Sequence, residues 1–320
     1  MAEEQQDAPT PEIFKSVGAA FIVIVPEQLL APLEQSKPQT SLSVALVTNA
    51  RDGLRGVVSA GSLPYQLASH SAHQRHFDRI YTAERIRSHI NVKSGDQPSV
   101  ARREEALQIA HERMHEFVRS SEGVHLLRDW IVLDLNGHLG SPAVKQAASE
   151  LLVQTSISTW SVFESAVGAF IIGWINADPR RAIPVLAATE LKSYFGKQAV
   201  DIDVIEDHGF DLSTSMGDIL FRERRLDNLP VIRSVLNALF DDQNIRLALG
   251  DNMWLLNQRR HLLTHRRGIV DAEYLRKTGD SAPIGQRLHL SSVDIEMYVS
   301  TVQNAIIAIA QAADSLELAK

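Results

Sequence analysis

The chain contains no cysteine. That absence excludes disulfide scaffolds, Cys-ligated zinc, iron–sulfur clusters and cysteine nucleophiles. There is no G-x-x-x-x-G-K-[ST] loop, no G-x-G-x-x-G turn and no G-x-S-x-G elbow. Kinase, dinucleotide-dependent and serine-hydrolase readings therefore lack their phosphate cradle or nucleophile. The longest apolar run, residues 17–25, is too short to cross a bilayer. The stretch Ala2-Glu3-Glu4-Gln5-Gln6-Asp7 is acidic where a signal peptide needs basic residues. These absences predict a cytoplasmic protein with no membrane association. Lysine is also scarce, at 8 residues against 24 arginines.

Across 320 residues, 44% are hydrophobic and 22% charged, which is enough for a packed core and excludes wholesale disorder. The length predicts about two domains. A net charge of −7 argues against non-specific coating of nucleic acid. The arginines are nevertheless clustered: Arg259, Arg260, Arg266 and Arg267 form one group, and Arg222, Arg224 and Arg225 another. A planar guanidinium fork suits phosphate, although charged residues on a helix are ordinarily a solvated face.

Helical signals dominate from Ser99 onward. The spacing predicts helices over 77–90, 99–120, 142–176, 216–240, 244–267 and 292–318, with a connector at 94–99. Residues 44–48 read as a short strand or a buried helical turn, and residues 1–12 as a loose tail. The fold class is all-α: a largely helical N-terminal region over 1–140, of unread role, then a helical bundle over 141–320.

Two apolar seams are each interrupted by one charge. Val153, Ile157, Trp160, Glu164, Val167, Ile171 and Trp174 line one face of the long helix, with Glu164 at the centre. Leu249, Met253, Leu256, Arg260, Leu263 and Arg267 line a face of the later helix. A lone carboxylate and a lone guanidinium in facing seams predict that Glu164 meets Arg260 or Arg259, as a buried pair fixing register or as part of a site.

The densest chemical signal is the run from Asn257 to Asp271. Gly268 suits the residue after a helix, with Arg266 and Arg267 in its last turn. His261 and His265 lie four residues apart and share a face. A histidine beside fixed cations at a helix end is a reasonable acid–base group for phosphodiester cleavage.

Arg260-His261-Leu262-Leu263-Thr264-His265 resembles the signature of the HEPN superfamily, an Arg, a polar residue, three or more residues and a His, as found in prokaryotic toxin and antiphage ribonucleases. The similarity extends to Gly268-Ile269-Val270-Asp271, Tyr274-Leu275, Glu164, the Asn176–Pro179 helix end and Gly217-Asp218-Ile219-Leu220, covering about residues 145–318. The resemblance implies an all-α domain, a homodimer with a composite cleft, and RNA cleavage without metal or other cofactor. It implies Arg260, His261, His265 and Glu164 as catalytic residues, with Arg259, Arg266 and Arg267 binding RNA. It also implies a role in defence or growth arrest, with a neutralising or sensor protein as a further partner. A toxin subgroup carries Tyr two residues after the His; this chain has Arg267 there. Non-catalytic scaffolds that bind RNA or protein are common in the superfamily and form the alternative reading.

His111-Glu112-Arg113-Met114-His115 is a literal H-E-x-x-H, the zinc-peptidase pattern. Its intervening Arg113 and charged surroundings point instead to an amphipathic helix. His70, His73 and His76 are spaced to share a helix face, with no carboxylate beside them to complete a metal site.

Overall fold

The computed structural model describes residues 9–90, 100–196, 202–224 and 226–319. Among the described residues the protein is all-α: helices carry the fold, and the only extended pairing is an isolated bridge between Ile269 and Arg287. The expected connector at 94–99 and Arg225 lie outside the described residues.

The chain forms two compact units. The first contains the residues up to Ile24 together with Gly61–Ser149. In it the Leu63–Ile90 helix packs on the Val100–Arg119 and Ser121–His138 helices, and Pro11–Ala20 packs on the last of these. Val17, Phe21, Leu127, Ile131 and Leu135 supply its core. Thr10 caps the first helix and Ser120 the last, each accepting from a backbone N–H three residues on. The helix expected over 77–90 begins instead at Leu63 and so contains the histidine tract. Glu84 is buried and paired with both Arg87 and Arg113.

The second unit contains Val25–Ala60 together with Glu150–Lys320. The sequence places one boundary near residue 140; in the structure residues 25–60 join the C-terminal half. The reason is a cap supplied from far along the chain. Asp314, on the Ser292–Leu318 helix, accepts from the backbone N–H groups of Gln39 and Thr40 at 2.9 Å each. It also accepts from the Thr40 and Ser43 hydroxyls, at the start of the Ser41–Gly61 helix. No local pattern can announce such a cap.

The expected long helix runs from Pro142 to Ala177. Trp160, Val167 and Ile171 of its seam are fully buried, Val153 and Trp174 nearly so, and Ile157 is half-buried. Phe163, Phe170 and Ile175, off the seam, are buried too, so the helix hides most of its circumference. By length and composition it is the one described helix apolar enough to cross a membrane. Of its apolar window, 44% is buried within the protein.

Two expected helices are each broken in two. The 216–240 stretch forms Met216–Phe221 and Leu229–Phe240. The 244–267 stretch forms Gln243–Ala248 and Asp251–His265, with Gly250 between them. A Cβ at Gly250 would lie 2.9 Å from the Leu247 carbonyl oxygen, so only glycine fits this join. Arg233 donates to the Leu249 carbonyl, which the break leaves without a helical donor, and also to the Gly250 carbonyl, which accepts as well from Trp254 N–H. The last helix, Ser292–Leu318, opens on a capping box between Ser291 and Asp294.

Candidate active site

The Asp251–His265 helix carries the motif. It packs against the Ser292–Leu318 and Ala272–Thr278 helices, burying Met253, Leu256, Leu262 and Leu263. His261, Thr264 and His265 remain exposed on the other face. The imidazole rings of His261 and His265 lie with centroids 4.7 Å apart and planes tilted by 49°. Partial burial lowers the pKa of His261 below its ordinary 6.5, and His265, Lys277 and Arg260 reinforce the shift against an opposing pull from Glu273. Neutral imidazole is thereby favoured at this position.

The helix ends at His265. Arg267, not Gly268, takes the first left-handed position, with φ 52°, and Gly268 follows at φ 76°. The motif seam therefore stops before Arg267, which is exposed along with Arg266. The Arg266 Nε lies 3.9 Å from an Asp271 carboxylate oxygen, a loose surface contact. Beyond the turn the chain pairs with a later segment: Leu288 N–H donates to Gly268 O and Val270 N–H to Gln286 O. That pairing lays the Arg287 side chain over Gly268, where an added Cβ would meet the Arg287 Cγ at 3.4 Å. Arg287 in turn donates to Glu150 at 2.6 Å. Nothing in its sequence neighbourhood marked Arg287.

Glu164 and Arg260 do meet. The Arg260 Nη2 lies 3.8 Å from the Glu164 Oε2, with the side chains 25% and 29% exposed. The contact is looser and wetter than the buried pair expected. Glu164 also accepts from the Trp160 indole N–H at 2.8 Å. The Arg260 Nε is buried and has no hydrogen-bond partner.

Arg259 departs from its expected role in RNA binding. Its guanidinium is 12% exposed and donates to Asp294 at 2.7 Å, to Asp280 at 3.1 Å, and to the Tyr274 and Tyr298 hydroxyls. Tyr274 also donates to Asp280, at 2.7 Å. Burial pushes the Tyr274 hydroxyl up to about 12, so it stays a donor at any working pH. With its donors committed inside the protein, Arg259 is a structural tie and has no fork left for phosphate.

Other features named from the sequence fall elsewhere. The Asn176 amide accepts from Gly217 N–H at 2.7 Å and donates to Asp218 at 2.6 Å, so the long helix's end and the Gly217 helix start form one junction. His111, Glu112 and His115 are exposed; His111 leans on Phe77, and Arg113 is taken by Glu84. His73 is bonded to Ser69 O, and His76 stacks on Phe117 with centroids 3.9 Å apart. Among the described residues no three His, Cys, Asp or Glu side chains stand close enough to hold a metal ion. A cavity of about 750 Å³ lies at the other end of the motif helix, bordered by Arg233, Asn237, Arg246 and Asp251, and includes none of the expected site residues.

Comparison with protein-family models, with curated proteins and with solved structures gives no match to this chain.

Proposed function

We propose that this protein is a metal-independent endoribonuclease of the HEPN type. The observation that carries the reading is the exposed His261–His265 pair at the end of the motif helix, with Arg260 one residue before His261 and Arg266 and Arg267 directly after His265. In this reading a 2′-oxygen of RNA attacks the adjacent phosphorus and the bond to the 5′-oxygen breaks, leaving a cyclic phosphate and a 5′-hydroxyl. An imidazole takes the 2′-hydroxyl proton, and a proton is returned to the leaving oxygen. His265 is the principal proton-transfer group, with His261 beside it. Arg260 faces the charge that develops on phosphorus, and Glu164 orients Arg260. Arg266 and Arg267 hold flanking phosphates. A homodimer placing two such faces around one RNA strand would supply a second set of these groups. A cytoplasmic role in defence or growth arrest, with a neutralising or sensor partner, belongs to the same reading.

The Glu164–Arg260 contact also supports a second reading, in which the motif is a register-fixing pair of a non-catalytic RNA- or protein-binding scaffold. Incubation with total RNA, with and without EDTA, separates the two. EDTA-resistant cleavage that disappears in Arg260→Ala/His265→Ala supports the nuclease. RNA left intact by the wild-type protein overturns it and leaves the scaffold. Sedimentation at micromolar concentration tests the dimer; a monomer alone would count against a composite cleft.

A further inference from the structure

The long helix makes two contacts with arginines of the motif region: Glu164 with Arg260, and, four turns earlier, Glu150 with Arg287. The second differs in kind from the first. Both of its partners are exposed, at 46% and 42%, and the Arg287 guanidinium is reached from solvent. Arg287 comes to this place only through the pairing of the segment after the motif helix with residues 285–288. Its stem lies over Gly268, three residues from His265 and next to Arg267 in the chain, although Arg287 is about twenty positions further along the sequence.

We propose that Arg287 is an RNA-phosphate contact of the motif surface, and that Glu150 holds it in the free protein until a phosphodiester takes the carboxylate's place. This rests on the nuclease reading for the identity of the ligand. The chemistry is an exchange of one oxyanion for another on the same fork. An exposed ion pair of this kind is worth little, because water screens it and two long side chains must be ordered to make it. A phosphodiester bound at the exposed turn after His265 can therefore displace it. The carboxylate acts as a weak brake on RNA binding.

The test is a fluorescence-anisotropy titration of a labelled single-stranded RNA over a range of salt, carried out on the full chain in a His265→Ala background so that the RNA stays intact, with cleavage assayed separately on the chain that keeps His265. Arg287→Ala should weaken binding several-fold and lower the slope of log affinity against log salt by about 0.7, the loss of one phosphate contact on a single strand. Arg287→Lys should recover most of the slope and part of the affinity. Glu150→Gln should tighten binding, by up to about five-fold. In Arg287→Ala/Glu150→Gln that gain should vanish, because the brake acts only through Arg287. Gain persisting in the double variant would mean a general charge effect and would overturn the exchange. An unchanged salt slope in Arg287→Ala would overturn the contact itself. RNA binding with these signatures but without cleavage would sink the nuclease reading and leave this one standing. Cleavage with no effect of Arg287 would do the reverse, and absence of RNA binding would overturn both.

Discussion

The Arg259 guanidinium donates to the Asp294 carboxylate at 2.7 Å and so ties the motif helix to the first turn of the C-terminal helix. Asp294 is at the same time the partner of Ser291 in the box that starts that helix. The Arg259 side chain, next in sequence to Arg260, thus links that helix start to Asp280 and to two tyrosine hydroxyls. Arg259→Ala should cost about 3–5 kcal/mol in urea denaturation, because it strands two carboxylates and two hydroxyls in a nearly dry setting. Arg259→Lys keeps the charge but loses the fork, and should fall between wild type and alanine. A loss below about 1 kcal/mol for alanine would contradict the network.

Glu164→Ala should cost far less. The ion pair to Arg260 is loose and about a quarter exposed, so it contributes at most about 1 kcal/mol. The Trp160 indole N–H loses its acceptor, which adds about 1–2 kcal/mol. Denaturation that shows a loss near that of Arg259→Ala would mean that the pair is tight and dry.

Gly217→Ala should destabilise the second unit by about 1–3 kcal/mol. The new methyl would lie 2.3 Å from the Ile172 carbonyl oxygen, which is backbone and cannot rotate away. Thermal denaturation reads the effect directly, and a neutral result would mean that the helix start shifts freely from the long helix.

Acid should attack the Arg259 network. Burial works to raise the carboxyls of Asp280 and Asp294, but hydrogen bonds outweigh it and hold both below their ordinary range: Tyr274 and Arg259 act on Asp280, Ser291 and Arg259 on Asp294. Groups depressed in this way give stability that is complete above their unfolded pKa of about 3.9 and is lost as pH falls through the folded value. Unfolding free energy should therefore drop between about pH 5 and pH 3, and Asp294→Asn should lose less over that interval. Parallel curves for the two proteins would exclude Asp294 as a source of the acid sensitivity.

The nuclease reading carries a pH signature. If neutral His261 takes part in proton transfer, the acid limb of the cleavage profile should have its midpoint below 6.5. Lys277→Ala should move that midpoint up and Glu273→Gln should move it down, since these two neighbours pull in opposite senses. Histidine NMR titrations in the same variants would follow the same order. Midpoints indifferent to both substitutions would remove His261 from the reaction. His265→Ala should abolish cleavage while largely sparing RNA binding.

Much of the helical architecture was legible in the sequence because it is written in local patterns. The Pro142–Ala177 and Ser292–Leu318 helices carry long apolar periodicities, and for the second the Ser291 cap stands three residues before Asp294. The Glu164–Arg260 meeting followed from one odd charge in each of two seams. The apolar pattern does not show the breaks after Phe221 and at Gly250, although each has a local mark: Pro230 stands in the first turn of Leu229–Phe240, and a glycine stands at the second join.

Local pattern suffices for the all-α class, the central apolar helix, and the placing of His261 and His265 on one helix face, because side-chain period and helix geometry set each of them. Tertiary structure alone decided which arginines are free. Arg259 and Arg260 are neighbours in sequence, yet successive residues on a helix point roughly 100° apart, so one is sealed among Tyr274, Asp280, Asp294 and Tyr298 while the other faces Glu164. Arg287 enters the motif region, and residues 25–60 join the C-terminal unit, through contacts between distant parts of the chain. Such contacts are set by long-range packing and capping, which leave no local periodicity to read.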